Sequence, residues 1–162
     1  MNRKHVLVAV IVAAAILIAS ASVAIWWWGL PSDGDNVVGA VFDTQSGGVE
    51  FSCELADSPA EWSKGLSGRE NLAEGHGMVF IFPAPSQQTF WMKDTLIPLD
   101  IVFVWANGTV GAIYGAPIEP GVSDGNLVRY ESPGPVKWVV ELNMGDCAAS
   151  GITVGTEFWV GY

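Results

Sequence analysis

From Val6 to Leu30 the chain runs for 25 residues without a charged side chain. As a helix rising ~1.5 Å per residue, that stretch exceeds the ~30 Å hydrocarbon core of a bilayer with room to tilt. Arg3 and Lys4 precede it, and Asp33 and Asp35 follow it. Basic flanks stay cytoplasmic, so the expected topology is single-pass, with the N-terminus inside and residues 31–162 outside. Trp26, Trp27 and Trp28 end the run, where indole rings favour the headgroup layer. A cleaved signal peptide is the competing reading. Ala19-Ser20-Ala21 and Ser22-Val23-Ala24 are small-residue sites behind an apolar stretch, and cleavage there would yield a secreted domain. It would also leave the triple Trp with no membrane to meet, which favours the anchor. Export follows from either reading, and the absence of a nearby cysteine excludes a lipoprotein anchor.

Beyond residue 30, about 130 residues remain, enough for one core. This part is acidic: it holds all 17 Asp and Glu, against five Lys and Arg once Arg3 and Lys4 are set aside from seven. Such a surface repels phosphate backbones, so nucleic acid is excluded as a partner. An acidic, lysine-poor surface also suits salty surroundings, where screening removes self-repulsion, and fits a halophilic source.

The expected organisation is an anchor over residues 1–30, a tether over 31–48 and a β-rich extracytoplasmic domain over 49–162. The tether reading rests on Gly, Asp and Ser content, with one edge strand in Val37–Phe42. Strand composition marks Val49–Leu55, Gly77–Phe82, Thr89–Lys93, Leu99–Trp105, Thr109–Tyr114, Val136–Leu142 and Thr156–Val160. Asn107-Gly108 is a hairpin signal, since both residues tolerate positive φ. Ser58-Pro59-Ala60-Glu61, stopped by Gly65, has the marks of a capped helix. Asn143–Ser150, closed by Gly151, is a second short one. Many short, evenly spaced strands predict a single mainly β domain, a sandwich or barrel, and no internal repeat is visible.

Alternation assigns faces. Asp100 shares one with Val102 and Val104, and Lys137 and Glu141 flank Val139 on another. A carboxylate on an apolar strand face needs a partner. Lys93 lies just across the Asp94–Pro98 turn, and Arg69 sits in the Gly68-Arg69-Glu70 corner. Asp100, Lys93 and Arg69 therefore form either a structural ion-pair network or the wall of a polar pocket floored by Trp91.

Gly65-Leu66-Ser67-Gly68-Arg69, Gly77-Met78-Val79-Phe80-Ile81-Phe82 and the run from Phe90-Trp91-Met92-Lys93 through Pro98-Leu99-Asp100-Ile101 resemble uncharacterised protein family 0127. That family is also called domain of unknown function 192. Pro133–Val136, Val139–Asn143 and Gly151–Gly155 extend the resemblance over about residues 49–160. It implies one β-rich domain, often behind a signal or anchor, and no established activity. Asp94 stands where the family usually carries Asn, which adds negative charge beside Lys93 and counts against an anion site.

The remaining motifs exclude much. His76 is the one histidine beyond the N-terminal segment, so neither a histidine zinc site nor a two-histidine copper site can be assembled. No nucleophile elbow and no phosphate-binding glycine loop occur, and no cofactor is expected. Cys53 and Cys147 lack metal-binding spacing and are either bridged after export or buried as thiols. Asn107-Gly108-Thr109 is an N-glycosylation acceptor. The expected function is a membrane-tethered binding or accessory module for a small molecule or envelope protein. Its ligand candidates are Arg69, Trp91, Lys93, Thr95, Asp100 and Glu141. A hydrolase using Asp100 and Glu141 as a carboxylate pair, or a purely structural envelope protein, are the alternatives.

Overall fold

The computed structural model describes residues 36–161. The expected membrane helix, residues 6–30, lies outside them. No helix among the described residues is long and apolar enough to cross a membrane. The elements are β1 (Val37–Thr44), β2 (Gly47–Ala56), α1 (Pro59–Lys64), β3 (His76–Ser86), β4 (Thr89–Phe90), β5 (Leu99–Trp105), β6 (Val110–Ala116), β7 (Tyr130–Glu131), β8 (Val136–Asn143), α2 (Asp146–Ser150) and β9 (Glu157–Gly161). Seven strands form one sheet in the order β6-β5-β8-β3-β2-β1-β9, while β4 and β7 make a separate two-stranded ribbon. Among the described residues only β2 and β3 pair in parallel, and the crossover between them carries α1.

The sheet curls until its edges touch. Thr109 bridges Glu157, and Phe158 N–H donates to the Gly108 carbonyl at 2.6 Å while Val110 N–H donates to Thr156 at 2.9 Å. The result is half a barrel rather than a sandwich. Its inner face collects residues from all seven strands, among them Phe42, Phe51, Val79, Val102, Val110, Leu142 and Phe158. A second core covers the outer face of β3, β8 and β5, where Phe80, Phe103, Ile101 and Val139 meet Leu66, Met92 and Ile97 from the connecting segments.

Most expected strands occur with shifted ends, and Leu99–Trp105 occurs as read. Two differences matter. The stretch read as a tether contains β1, which hydrogen-bonds to β2 on one side and β9 on the other. Val38, Ala40, Phe42 and Thr44 alternate into the interior, so the compact unit begins at Asn36 rather than Val49. In Thr89–Lys93 only Thr89 and Phe90 are strand. The chain then turns, with Thr95 N–H donating to Met92 O and Asp94 at φ 53°. Asn and Asp are the non-glycine residues that best tolerate that left-handed conformation, so the departure from the family's Asn keeps the turn.

Asp100 faces the inner core, and its partner is neither Lys93 nor Arg69. Its Oδ2 accepts the backbone N–H groups of Gly145 and Cys147, both at 3.0 Å. Gly145 is the residue before α2 and has no side chain with which to cap it. Asp100 supplies the missing acceptor from β5, and its charge is met by backbone donors at the helix start. The expected Asp100–Lys93–Arg69 network is therefore not formed.

Cys53 and Cys147 are both buried free thiols. Burial pushes the Cys53 thiol up to about 12 and raises Cys147 in the same way, with Asp100 adding to the latter. Native protein is expected to resist thiol labelling, with two thiols reacting once it is unfolded without reductant. One bridge, or none reactive, refutes this. Asp100→Ala is expected to destabilise by ~1–3 kcal/mol, because the buried Cys147 N–H and the half-buried Gly145 N–H lose their acceptor. Asp100→Asn keeps an oxygen there and is expected to lose less than half as much in urea titration.

Candidate functional site

A pocket of about 280 Å³ opens on the outer face between the Trp62–Ser67 segment and the Gln88–Thr95 segment. Local sequence chemistry builds both walls. In the first, Glu61 accepts the Ser58 hydroxyl at 2.6 Å and the Ser58 N–H at 2.9 Å, which fixes the start of α1. Gly65 ends the helix at φ 47°, a region that side chains rarely adopt. The second wall is the β4 strand with the Met92–Thr95 turn. Gly68 N–H donates to Asp94 O at 2.8 Å and ties the two walls together.

Five aromatic residues line the space: Trp62, Phe80, Phe82, Phe90 and Trp91. Phe80 and Phe90 pack edge to face with centroids 4.9 Å apart, and Trp62 tilts against Phe82 at 5.3 Å. Glu141 forms the floor. It sits opposite Met78 on β3 and Ile101 on β5, both apolar, and is 6% exposed. Its Oε2 has no hydrogen-bond partner. A methyl group added at Gly65 would stand 3.7 Å from that oxygen and 3.3 Å from the Phe80 ring, so the glycine keeps the space over the acid open. Burial alone raises the Glu141 carboxyl to about 8, so at neutral pH it is mainly an O–H donor.

The other sequence candidates scatter around this centre. Trp91 and Lys93 line the mouth and Thr95 lines the wall, its hydroxyl donating to Lys93 O at 3.2 Å. Lys93 pairs with Asp124, which holds the ammonium above its usual range, and Arg129 stacks 3.7 Å over the Trp91 ring. Both contacts fasten the Pro117–Arg129 stretch to the rim. Arg69 instead makes a two-pronged ion pair with Glu54 on β2, away from the pocket. Asp100 is absent as well. Its Cα partner is Leu142, whereas Glu141 lies opposite Ile101, so the two carboxylates point to opposite faces of the sheet. The carboxylate pair required by the hydrolase alternative does not exist. Asn107 is exposed at the β5–β6 turn, where its Oδ1 accepts the Thr109 N–H and hydroxyl.

Sequence reasoning overlooked Gly65, the aromatic wall, Asp124 and Arg129. Gly65 carried a signal, since it closes a capped helix beside Leu66-Ser67-Gly68. Asp124 and Arg129 carried none. Among the described residues, no group of three or more His, Cys, Asp or Glu side chains is placed to hold a metal ion.

Residues 41–159 match the model of DUF192, described as an uncharacterised ACR family. The chain belongs to this family. The crystal structure of a protein of unknown function from Novosphingobium aromaticivorans DSM 12444 is 34% identical, covers 80% of this chain and 89% of its own, and superposes with a TM-score of 0.72. A proposed transcription regulator from Sinorhizobium meliloti 1021 is 30% identical, with 80% and 98% covered and a TM-score of 0.71. No curated protein matches.

In this DUF192 domain the Glu141 environment sets a pH dependence whose sign is fixed. Its native value of about 8 lies above the ordinary 4.5, so the folded state keeps a proton that the unfolded chain releases. The stabilisation is complete below pH 4.5 and falls as pH rises to about 8, by about 4–5 kcal/mol at most. Glu141→Gln keeps the neutral shape and removes the loss. Urea unfolding is expected to show a shallower decline from pH 5 to pH 8 in the variant, which at pH 8 is the more stable protein. Parallel curves for the two proteins would contradict the buried acid.

Proposed function

We propose that this protein is a membrane-tethered extracytoplasmic binding module whose pocket holds a small organic ligand over Glu141. The observation that carries this reading is the unpartnered Glu141 oxygen on the floor of an aromatic-walled pocket. A buried carboxyl oxygen without a hydrogen bond is costly; the other such oxygen among the described residues, Asp146 Oδ2, lies outside the pocket at the start of α2, where Asp100 Oδ2 accepts two backbone N–H groups. Aromatic rings interleaved with the polar side chains of Ser67, Gln88 and Thr95, a buried acid on the floor and a rim of Lys64, Lys93 and Asp94 suit a small molecule with both apolar and polar parts. Acid–base catalysis has less support, because no second titratable group shares the pocket floor with Glu141. Tethering is supported by the charge pattern around Val6–Leu30.

Two measurements test the two halves. Thr89 is exposed and lies on the pocket wall, so Thr89→Trp plugs the space without disturbing the core. Fragments that raise the melting temperature of the full chain are expected to have no effect on this variant. Equal shifts in both proteins would place binding elsewhere. For topology, Val154 is 65% exposed while both native thiols are buried. A membrane-impermeant maleimide is expected to label Val154→Cys on intact cells, and labelling only after lysis would refute the outward orientation.

A further inference from the structure

Resting on the binding-module reading, we infer that the ligand is a small organic ammonium ion bearing an N–H donor, with Glu141 as its counter-ion. Among the described residues no basic side chain pairs with this acid. Of the five basic side chains among the described residues, Arg69 is held by Glu54 and Lys93 by Asp124. Lys137 donates to the Phe82 and Pro83 carbonyls, and Arg129 lies on Trp91 while donating to Asp124 O at 2.9 Å. Lys64 is exposed at the rim and makes no ion pair. The neighbours packed on Glu141 from β3, β5 and the α1 end are Met78, Phe80, Ile101 and Gly65, none of them titratable. The titratable groups of the pocket besides Glu141 are Lys64, Lys93 and Asp94, all on the wall segments.

Three properties of the site match a cation with a hydrocarbon body. Once ionised, the unpartnered oxygen needs a donor, which an N–H supplies and a quaternary ammonium does not. The five aromatic residues offer negatively polarised ring faces together with apolar area for the carbon skeleton. Arg129 over Trp91 is a cation already resting on one of these rings. Beyond the pocket, the excess of acidic over basic residues raises the local concentration of any small cation. On entry of the ammonium, Glu141 gives its proton to solvent and becomes the carboxylate partner.

Benzylammonium and its neutral analogue benzyl alcohol distinguish this ligand class. Calorimetry on the full chain in detergent, at pH 7 in two buffers of different ionisation enthalpy, reads affinity and proton release together. Benzylammonium is expected to bind with release of nearly one proton per site, and benzyl alcohol at least about tenfold more weakly. Affinity for the ammonium is expected to rise about tenfold per pH unit up to the Glu141 pKa and then level off. Glu141→Gln, judged folded by its melting curve, is expected to lose binding by about tenfold or more, together with the proton release. Comparable binding of benzyl alcohol, or ammonium binding without proton release, overturns the cation assignment and leaves the pocket reading standing. The cation assignment also falls, and the pocket reading stands, if neither probe binds while other fragments stabilise the parent chain and not Thr89→Trp. If no fragment distinguishes the parent from Thr89→Trp, the pocket reading falls as well.

Discussion

The central strands β3, β8 and β5 are covered on both faces, and the rest of the architecture follows from that constraint. One face curls inward until β9 meets the start of β6. The other lies beneath the crossover carrying α1, the β4 turn and the β7 region. A polar side chain buried on either face therefore has little access to water and costs energy unless it is met from within the protein. Asp100 and Glu141, on adjacent strands, meet this demand in opposite ways. Asp100 turns inward and receives two backbone donors from the start of α2. Glu141 turns outward, receives nothing at Oε2, and responds by holding its proton.

The contrast separates scaffold from site. Asp100 links β5 to α2 at one end of the half-barrel, in the place of a cap that Gly145 cannot provide. Glu141 lies under a helix end whose glycine keeps the overlying space open, at the bottom of an aromatic pocket. The ion pairs among the described residues lie elsewhere. Arg69–Glu54 joins the loop after α1 to β2, and Lys93–Asp124 joins the pocket rim to the Pro117–Arg129 stretch. Both are partly exposed, and such pairs position loops while contributing little to stability. The DUF192 motif residues thus divide between two duties: Gly65, Leu66 and Glu141 shape the pocket, while Arg69 and Asp100 hold elements in place.

Much of this was legible in the sequence because it is local. Alternation of apolar residues marked Leu99–Trp105 and the β8 segment, since a strand places successive side chains on opposite faces whatever lies beyond them. The Ser58–Glu61 cap and the Gly65 stop are contacts within a few residues, and they form where the pattern predicts. The same alternation placed Asp100 with Val102 and Glu141 with Val139, which is the arrangement found. Val37–Phe42 reads as one edge strand within a tether, because the surrounding Gly and Asp content outweighs the weak alternation of Val38, Ala40 and Phe42. The pairing of β1 with both β2 and β9 makes Val37–Thr44 an inner strand of the sheet instead.

Sequence alone determined the strands, the helix caps and the presence of two carboxylates on apolar faces, because each depends on neighbours within one turn or one strand. Tertiary structure decided which partners those carboxylates have. Lys93 is seven residues from Asp100 in the chain, yet it leaves by a left-handed turn at Asp94 to meet Asp124, while Asp100 faces the opposite side of the sheet. Arg69 is drawn off by Glu54. Proximity along the chain fixes how far two charges can stand apart, and says nothing about which face of a sheet each one occupies relative to the other's loop. The curl of β5, β8 and β3 set that relation, leaving Asp100 capped and Glu141 unpaired beneath Gly65.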